Sequence, residues 1–337
     1  MNTPLHCHPH NHDGSGHDHG HDHHDHDHNH HHDRNDDHDH HHDHGHDHVR
    51  PKPVRPGILL AAFGVAMAQA RRGYEQMEAE VREQFPGIPV AWAYTAHKVR
   101  KKLAAMGQGH DSVAVALSRL HDDGVTHLAV QSLHTVPGVE YHWTHSQAMA
   151  FVHPRKGFRE IALGAPLLTS EKDLDRAALA LQSYIPAERL PDEAVVLVGH
   201  GTYHQGQQRY LDFEARVRLR DPHVFLGALM SRSGETLGVS SIISRLQEAN
   251  ISRCRLLPFM SVPGHHVLVD ILGESPRSWK HRLQAAGIEV LSEPTGTLEH
   301  CPFRALWMDH LRHAFASLHL ENKAASNHGH GEHHAHI

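Results

Sequence analysis

The sequence predicts an α/β fold of duplicated, doubly wound parallel-sheet units flanked by disordered histidine-rich termini. Three observations carry this prediction. Short, continuous apolar runs alternate with segments of helical periodicity, the pattern of parallel strands covered on both faces by crossover helices. The first run of each half ends in glycine, GILLAAFG (57–64) and AVVLVGHG (194–201). A Val-Pro-Gly turn follows an apolar run twice, in TVPGVEY (135–141) and SVPGHHV (261–267), at an offset of 126 residues.

Residues 1–50 form a His/Asp-rich tail; its first 48 residues hold 21 of the 44 histidines and no apolar run, too little buriable surface to offset chain entropy. Pro51, Pro53 and Pro56 make 51–56 a stiff linker. The first half, 57–190, then reads as strand 57–64, helix 71–85, strand 90–95, helices 97–106 and 111–123, and strand 126–134. A helical segment over 139–152, strand 161–168 and helix 171–184 complete it. The second half, 191–320, repeats the alternation: strand 194–201, helix 205–219, strand 224–230, helix 235–248, strand 254–262, helix 276–286, strand 288–294 and helix 302–319. A second His-rich tail occupies 321–337.

Charge excludes some function classes. Eleven aspartates against Arg34 give the first 48 residues −10, leaving +3 for the rest of a chain whose total is −7. A nearly neutral body lacks the clustered basic footprint of a nucleic-acid binder. No run approaches the length needed to cross a bilayer and no secretory pattern opens the chain, so a cytoplasmic location is expected. Cys7, Cys254 and Cys301 are widely spaced, which argues against a disulfide framework or a cysteine-ligated metal.

In open parallel sheets ligands bind beyond the carboxyl ends of the strands. His200 ends the first strand of the second half, Met230 ends the second, and His265 and His266 follow the third. Glu140 holds the first-half position that corresponds to His266. If the two sheets face one another, Glu140, His200 and His266 converge on one cleft. Neutral imidazole suits Zn, Ni, Co and Fe, and a carboxylate completes such a site or relays protons.

Other features are weaker. GHGTYH (199–204) lacks the spacing of a nucleotide fingerprint. KVRKKL (98–103) reads more simply as a solvated helix face than as a grip for an acidic substrate, and no nucleophile elbow is present. The two terminal tails are a compositional metal-binding signal for Ni, Co or Zn, one that weakens below roughly pH 6 as imidazole protonates.

At QSLHTVPGVEY (131–141), GAPLLTS (164–170), VGHG with His204 (198–204), LLPFMSVPGHHV (256–267) and SWKHRLQAAGI (278–288), the sequence resembles the class II anaerobic cobalt chelatases. These are the sirohydrochlorin cobaltochelatases of cobalamin biosynthesis, and the likeness covers roughly residues 56–320. The resemblance implies a duplicated chelatase fold with a cleft between its halves and a metal held by histidines matching His200 and His266. It also implies a metal-holding glutamate at the end of the second strand of the second half, and an acidic cleft residue matching Glu140. Met230 stands where that glutamate is expected, a soft neutral thioether in place of a hard anionic carboxylate. Glu235 lies about a turn beyond, and His265 stands where the family often has an acidic residue, offering a nitrogen ligand.

The expected function is therefore nucleotide-independent insertion of Co²⁺ into sirohydrochlorin, with no cofactor beyond the substrate metal. His200 is the expected base, Glu140 its relay, and Lys98, Arg100 or Arg209 the grips for substrate carboxylates. Two alternatives stay open: a chelatase for Ni²⁺, Fe²⁺ or a haem-related ring, and a non-catalytic metal-storage or tetrapyrrole-binding protein. The sequence leaves the oligomeric state open, a homo-oligomer included.

Overall fold

The computed structural model describes residues 53–231 and 236–321, so the histidine-rich tails (Glu321 apart) and Glu235 lie outside the described residues. Two four-stranded parallel sheets alternate with helices along the chain. The first contains β1 (Pro56–Ala62), β2 (Val90–Tyr94), β3 (His127–Ser132) and β4 (Glu160–Gly164), in the order β2-β1-β3-β4. The second contains β5 (Ala194–Gly201), β6 (Val224–Met230), β7 (Arg253–Pro258) and β8 (Glu289–Ser292), in the order β6-β5-β7-β8. The same order in both sheets is the topological form of the duplication.

The helices of the first half are α1 (Arg72–Gln84), α2 (His97–Ala105), α3 (Val113–Asp122), α4 (Val139–Ala150) and α5 (Glu171–Tyr184). Those that follow are α6 (Gln208–Arg218), α7 (Val239–Glu248), α8 (Trp279–Ala285) and α9 (Cys301–Ala316). Serine starts several of them: the hydroxyls of Ser112, Ser170 and Ser278 accept from otherwise orphaned backbone N–H groups.

Strand alternation decides where each side chain goes. Ile58, Leu60 and Ala62 of β1 enter a core shared with Val195 and Leu197 of β5, whereas Leu59 and Ala61 pack under the first half's own helices. Ala194, Val196 and Val198 likewise enter a separate layer of the second half. The shared core also takes Val136 and Val262, the valines of the two Val-Pro-Gly turns, so the turns are anchored from beneath by one apolar mass. After the second sheet the chain returns: α9 lies over β3 and β4 and beside α5, and Trp307 is fully buried there. Among the described residues no helix is long and apolar enough to cross a membrane.

Several boundaries differ from the sequence expectation. The strand expected over 161–168 stops at Gly164, because the N–H groups of Leu167 and Leu168 bond the carbonyls of His134 and Thr135 and turn the chain across the exit of β3. The strand expected over 254–262 stops at Pro258, beyond which Met260 and Ser261 give their carbonyls to Thr297 and Leu298. The expected helix 205–219 opens as a 3₁₀ turn, Gln205–Gln207. Past the second Val-Pro-Gly turn the chain winds a π-helical turn, His266–Ile271, which apolar periodicity does not foretell.

Candidate functional site

In each sheet the strand order reverses at the first strand, between β1 and β3 and between β5 and β7, and ligands of open α/β sheets bind at that reversal. His200 sits there as the penultimate residue of β5. Gly201 follows with φ +80°, and a Cβ on it would lie 2.5 Å from the Met230 carbonyl oxygen, so only glycine lets β5 end beside β6 in this way. The turn carries His200 against Phe63, the residue before Gly64 at the end of β1, with ring centroids 5.5 Å apart.

His266 opens the π-helical turn after β7, and its ring stands edge-on to that of His200 with centroids 5.1 Å apart. The two imidazoles are oriented by their second nitrogens. His200 Nδ1 donates to the Gly201 carbonyl at 3.1 Å, and His266 Nδ1 donates to Asp270 Oδ2 at 2.6 Å. A carbonyl only accepts, as does an ionised carboxylate, so each Nδ1 carries a proton and Nε2 is the nitrogen left to bind a ligand. Burial pushes His200 below the usual imidazole range, against the opposing pull of its Gly201 bond and of the Glu140 and Asp270 carboxylates. The ring is therefore held neutral, the state that binds metal or accepts a proton.

The halves interlock below these rings. A Cβ on Gly206 would lie 2.4 Å from the Pro137 carbonyl oxygen, so the first Val-Pro-Gly turn rests directly on the loop that follows β5. That contact places Glu140, in the first turn of α4, within electrostatic reach of His200. Strand register pairs Met230 with Gly201, one strand away from His200. His265 is exposed, with its ring 6.1 Å from that of His266. Among the described residues no three His, Cys, Asp or Glu side chains are grouped as a metal cage. His200 and His266 form an open pair instead.

Three features of this region add to what the sequence singled out, which included His204 but not its partner. His134, two residues beyond β3, meets Ser132 Oγ through Nδ1 at 2.9 Å and leaves a buried Nε2 without a partner; burial, with His200 nearby, pushes it down to about 4. His142 and His204 face one another with ring centroids 4.5 Å apart at the meeting of the two loops. Beside them Trp143 and Tyr203 are 63% and 62% exposed, unusual for large aromatic rings. His134 lies inside a block singled out as a whole, and its place at a strand end was the available signal.

The expected carboxylate grips fare unevenly. Arg209 is not free for a substrate: it pairs with Glu171 at 2.9 Å and Asp212 at 3.3 Å. Arg100 points back to the carbonyls of Tyr94 and Thr95, and Lys98 is exposed on α2.

Comparison with known proteins agrees with this architecture. Residues 56–316 match the family model described as cobalt chelatase (CbiK). The sirohydrochlorin cobaltochelatase CbiKC of Nitratidesulfovibrio vulgaris strain Hildenborough is 40% identical over 267 residues, 78% of this chain and 92% of that protein. The sirohydrochlorin cobaltochelatase of Salmonella typhimurium strain LT2 is 27% identical over 263 residues, 77% of this chain and 97% of that protein. Among solved structures, SirB from Bacillus subtilis with Fe³⁺ aligns with a TM-score of 0.53 at 14% identity, over 78% of this chain and 96% of SirB, which bears on the fold alone. With the family match spanning most of the chain, the protein belongs to the CbiK cobalt chelatase family.

Proposed function

We propose that this chain inserts Co²⁺ into sirohydrochlorin without a nucleotide. The observation that carries the reading is the His200–His266 pair: two imidazoles 5.1 Å apart by centroid, each with Nδ1 engaged and Nε2 left for a ligand, at the strand reversal of a cobalt chelatase fold. Co²⁺ is favoured over Ni²⁺ and Fe²⁺ by the family and by the names of the relatives.

Insertion requires removing water from the ion and two protons from the ring nitrogens. The Nε2 atoms of His200 and His266 replace part of the hydration shell, and an open pair leaves the remaining positions to the incoming ring nitrogens. As the ion passes to the macrocycle, His200 Nε2 regains its lone pair and takes the two ring protons in turn, giving up the first by way of Glu140 before it accepts the second. The Glu140 carboxylate stabilises the resulting imidazolium and relays the charge toward solvent. Phe63 on one side, with Trp143 and Tyr203 at the rim, offers apolar surface to a flat ring. His265 and Met230 stand beside this pair as additional, weaker donors, Met230 through its sulfur.

The histidine-rich tails buffer or deliver the divalent ion in this reading. A reducing, cytoplasmic setting suits the free thiols Cys254 and Cys301. One observation favours a second reading, a binding protein without turnover: Met230 supplies no anion where the resemblance places a glutamate.

An anaerobic absorbance time course with sirohydrochlorin and Co²⁺, Ni²⁺ or Fe²⁺, corrected for spontaneous insertion, tests the assignment. Faster insertion of Co²⁺ than of the other two supports it. Ring binding without insertion above background hands the case to the second reading.

A further inference from the structure

Gln207 closes a chain of hydrogen bonds that begins at His200. The His200 Nδ1–H donates to the Gly201 carbonyl at 3.1 Å. The other end of that same peptide unit, the Thr202 N–H, donates to Gln207 Oε1 at 2.8 Å, and Gln207 Nε2 donates to the Met230 carbonyl at 3.3 Å. One partner of the carboxamide only donates and the other only accepts, which fixes the assignment of its oxygen and nitrogen. His200 is thus linked through one peptide and one side-chain amide to the end of β6.

The link matters because the peptide it holds is soft. Gly201 adopts φ +80° and carries no Cβ, so little in its own backbone resists a rotation of the peptide that follows it. Such a rotation would carry the Gly201 carbonyl away from Nδ1 and release the imidazole. Thr202 lies just past the last residue of β5, and its N–H takes a side chain as its acceptor.

The preceding peptide is held separately. The Gly201 N–H reaches the buried Tyr210 hydroxyl, which also meets the Thr135 side chain. Gln207 and Tyr210, about one turn apart where the 3₁₀ turn runs into α6, therefore hold the peptides on the two sides of Gly201. Aligned hydrogen bonds polarise one another, so the Gln207 bond also strengthens the carbonyl on which His200 rests. His266 has the corresponding support in a single step, from Asp270.

We propose that Gln207 is a positioning residue for the metal-binding imidazole of His200. Its carboxamide locks the Gly201–Thr202 peptide in the orientation that engages Nδ1 and leaves Nε2 for the ion. This rests on the cobalt reading above.

The test is a titration of the full-length protein with buffered free Co²⁺ in the absence of sirohydrochlorin, following the visible Co²⁺ absorbance that the wild type shows and His200→Ala lacks. Gln207→Leu and Gln207→Glu are compared with the wild type, with melting temperature recorded, in about 0.3 M salt so that the charge added by glutamate is screened. Leucine is chosen for its volume: Gln207 lines a cavity of about 530 Å³ with His204, Gln208 and Thr236, from which water would replace a shorter side chain. Gln207→Leu is expected to raise the Co²⁺ midpoint about five-fold, less than the roughly ten-fold or more that follows loss of the direct partner of a ligating imidazole. Gln207→Glu keeps an acceptor for the Thr202 N–H and is expected to recover most of that loss. The role is overturned if Gln207→Leu binds Co²⁺ as the wild type does, if Gln207→Glu binds as weakly as Gln207→Leu, or if affinity falls only in step with melting temperature. A wild type that shows this Co²⁺ signal but inserts no metal into the ring refutes insertion and leaves the titration decisive. One without a His200-dependent signal overturns both.

Discussion

Phe63 and His200 occupy equivalent places at the ends of β1 and β5, each followed by a left-handed glycine, and their rings stand 5.5 Å apart. One copy of the duplicated strand end supplies an apolar wall and the other an imidazole. Glu140 and His266 repeat that asymmetry one strand along, acid in the first half and imidazole in the second. The duplication therefore brings two imidazoles together in the second half and sets against them an aromatic ring and a carboxylate from the first.

The bond from His266 Nδ1 to Asp270 sets which nitrogen of the ring is free. Asp270→Asn removes the charge that holds the imidazole in this tautomer and orientation. Its KM for Co²⁺ is expected to rise about ten-fold, less than the effect of His266→Ala. Steady-state insertion kinetics at varied Co²⁺ check it, and an unchanged KM contradicts the orienting role.

Met230 offers a neutral sulfur at the end of β6. Met230→Glu adds an anionic oxygen near the imidazole pair, which is expected to tighten Co²⁺ binding by roughly ten-fold and favour harder divalent ions. Competition between Co²⁺ and Fe²⁺ in single-turnover insertion measures both effects. Equal metal preference in the two proteins would show that position 230 does not reach the ion.

His134 gives a pH signature of the fold. Its imidazole is held down to about 4 against an ordinary value of 6.5, so between these values the unfolded chain binds the proton that the folded chain refuses. Stability therefore rises with pH through this window and is unaffected by this group above 6.5. One such proton sets a slope of up to about 1.4 kcal/mol per pH unit. Denaturant melts at pH 7 and pH 5 check it: the loss on acidification is smaller in His134→Gln than in the wild type. An equal loss in both proteins contradicts the assignment.

Much of this architecture is legible in the amino-acid sequence because buried parallel strands are continuous apolar runs. AVVLVGHG and VFLGALM fall on β5 and β6 residue for residue, and strand-end reasoning selects His200 and His266, which the structure brings together. What stays hidden has physical causes. Asp270 is an ordinary carboxylate until the π-helical turn fixes its place beside His266. Arg209 fails as a substrate grip for the converse reason, because Glu171 arrives from another helix.

The tails offer a separable test. A chain lacking residues 1–48 is expected to bind fewer Co²⁺ or Ni²⁺ ions at pH 7.5 and to need more free Co²⁺ for half-maximal rate, with kcat unchanged. Equilibrium dialysis and kinetics at limiting metal check this, and a fall in kcat at saturating Co²⁺ contradicts a buffering role.

The most direct measurement is the rate of Co²⁺ insertion into sirohydrochlorin by the wild type and by His200→Ala, under anaerobic conditions with spontaneous insertion subtracted. The account predicts clear catalysis by the wild type and a rate at the uncatalysed background for His200→Ala, with the variant melting as the wild type does. Undiminished insertion by His200→Ala would contradict it.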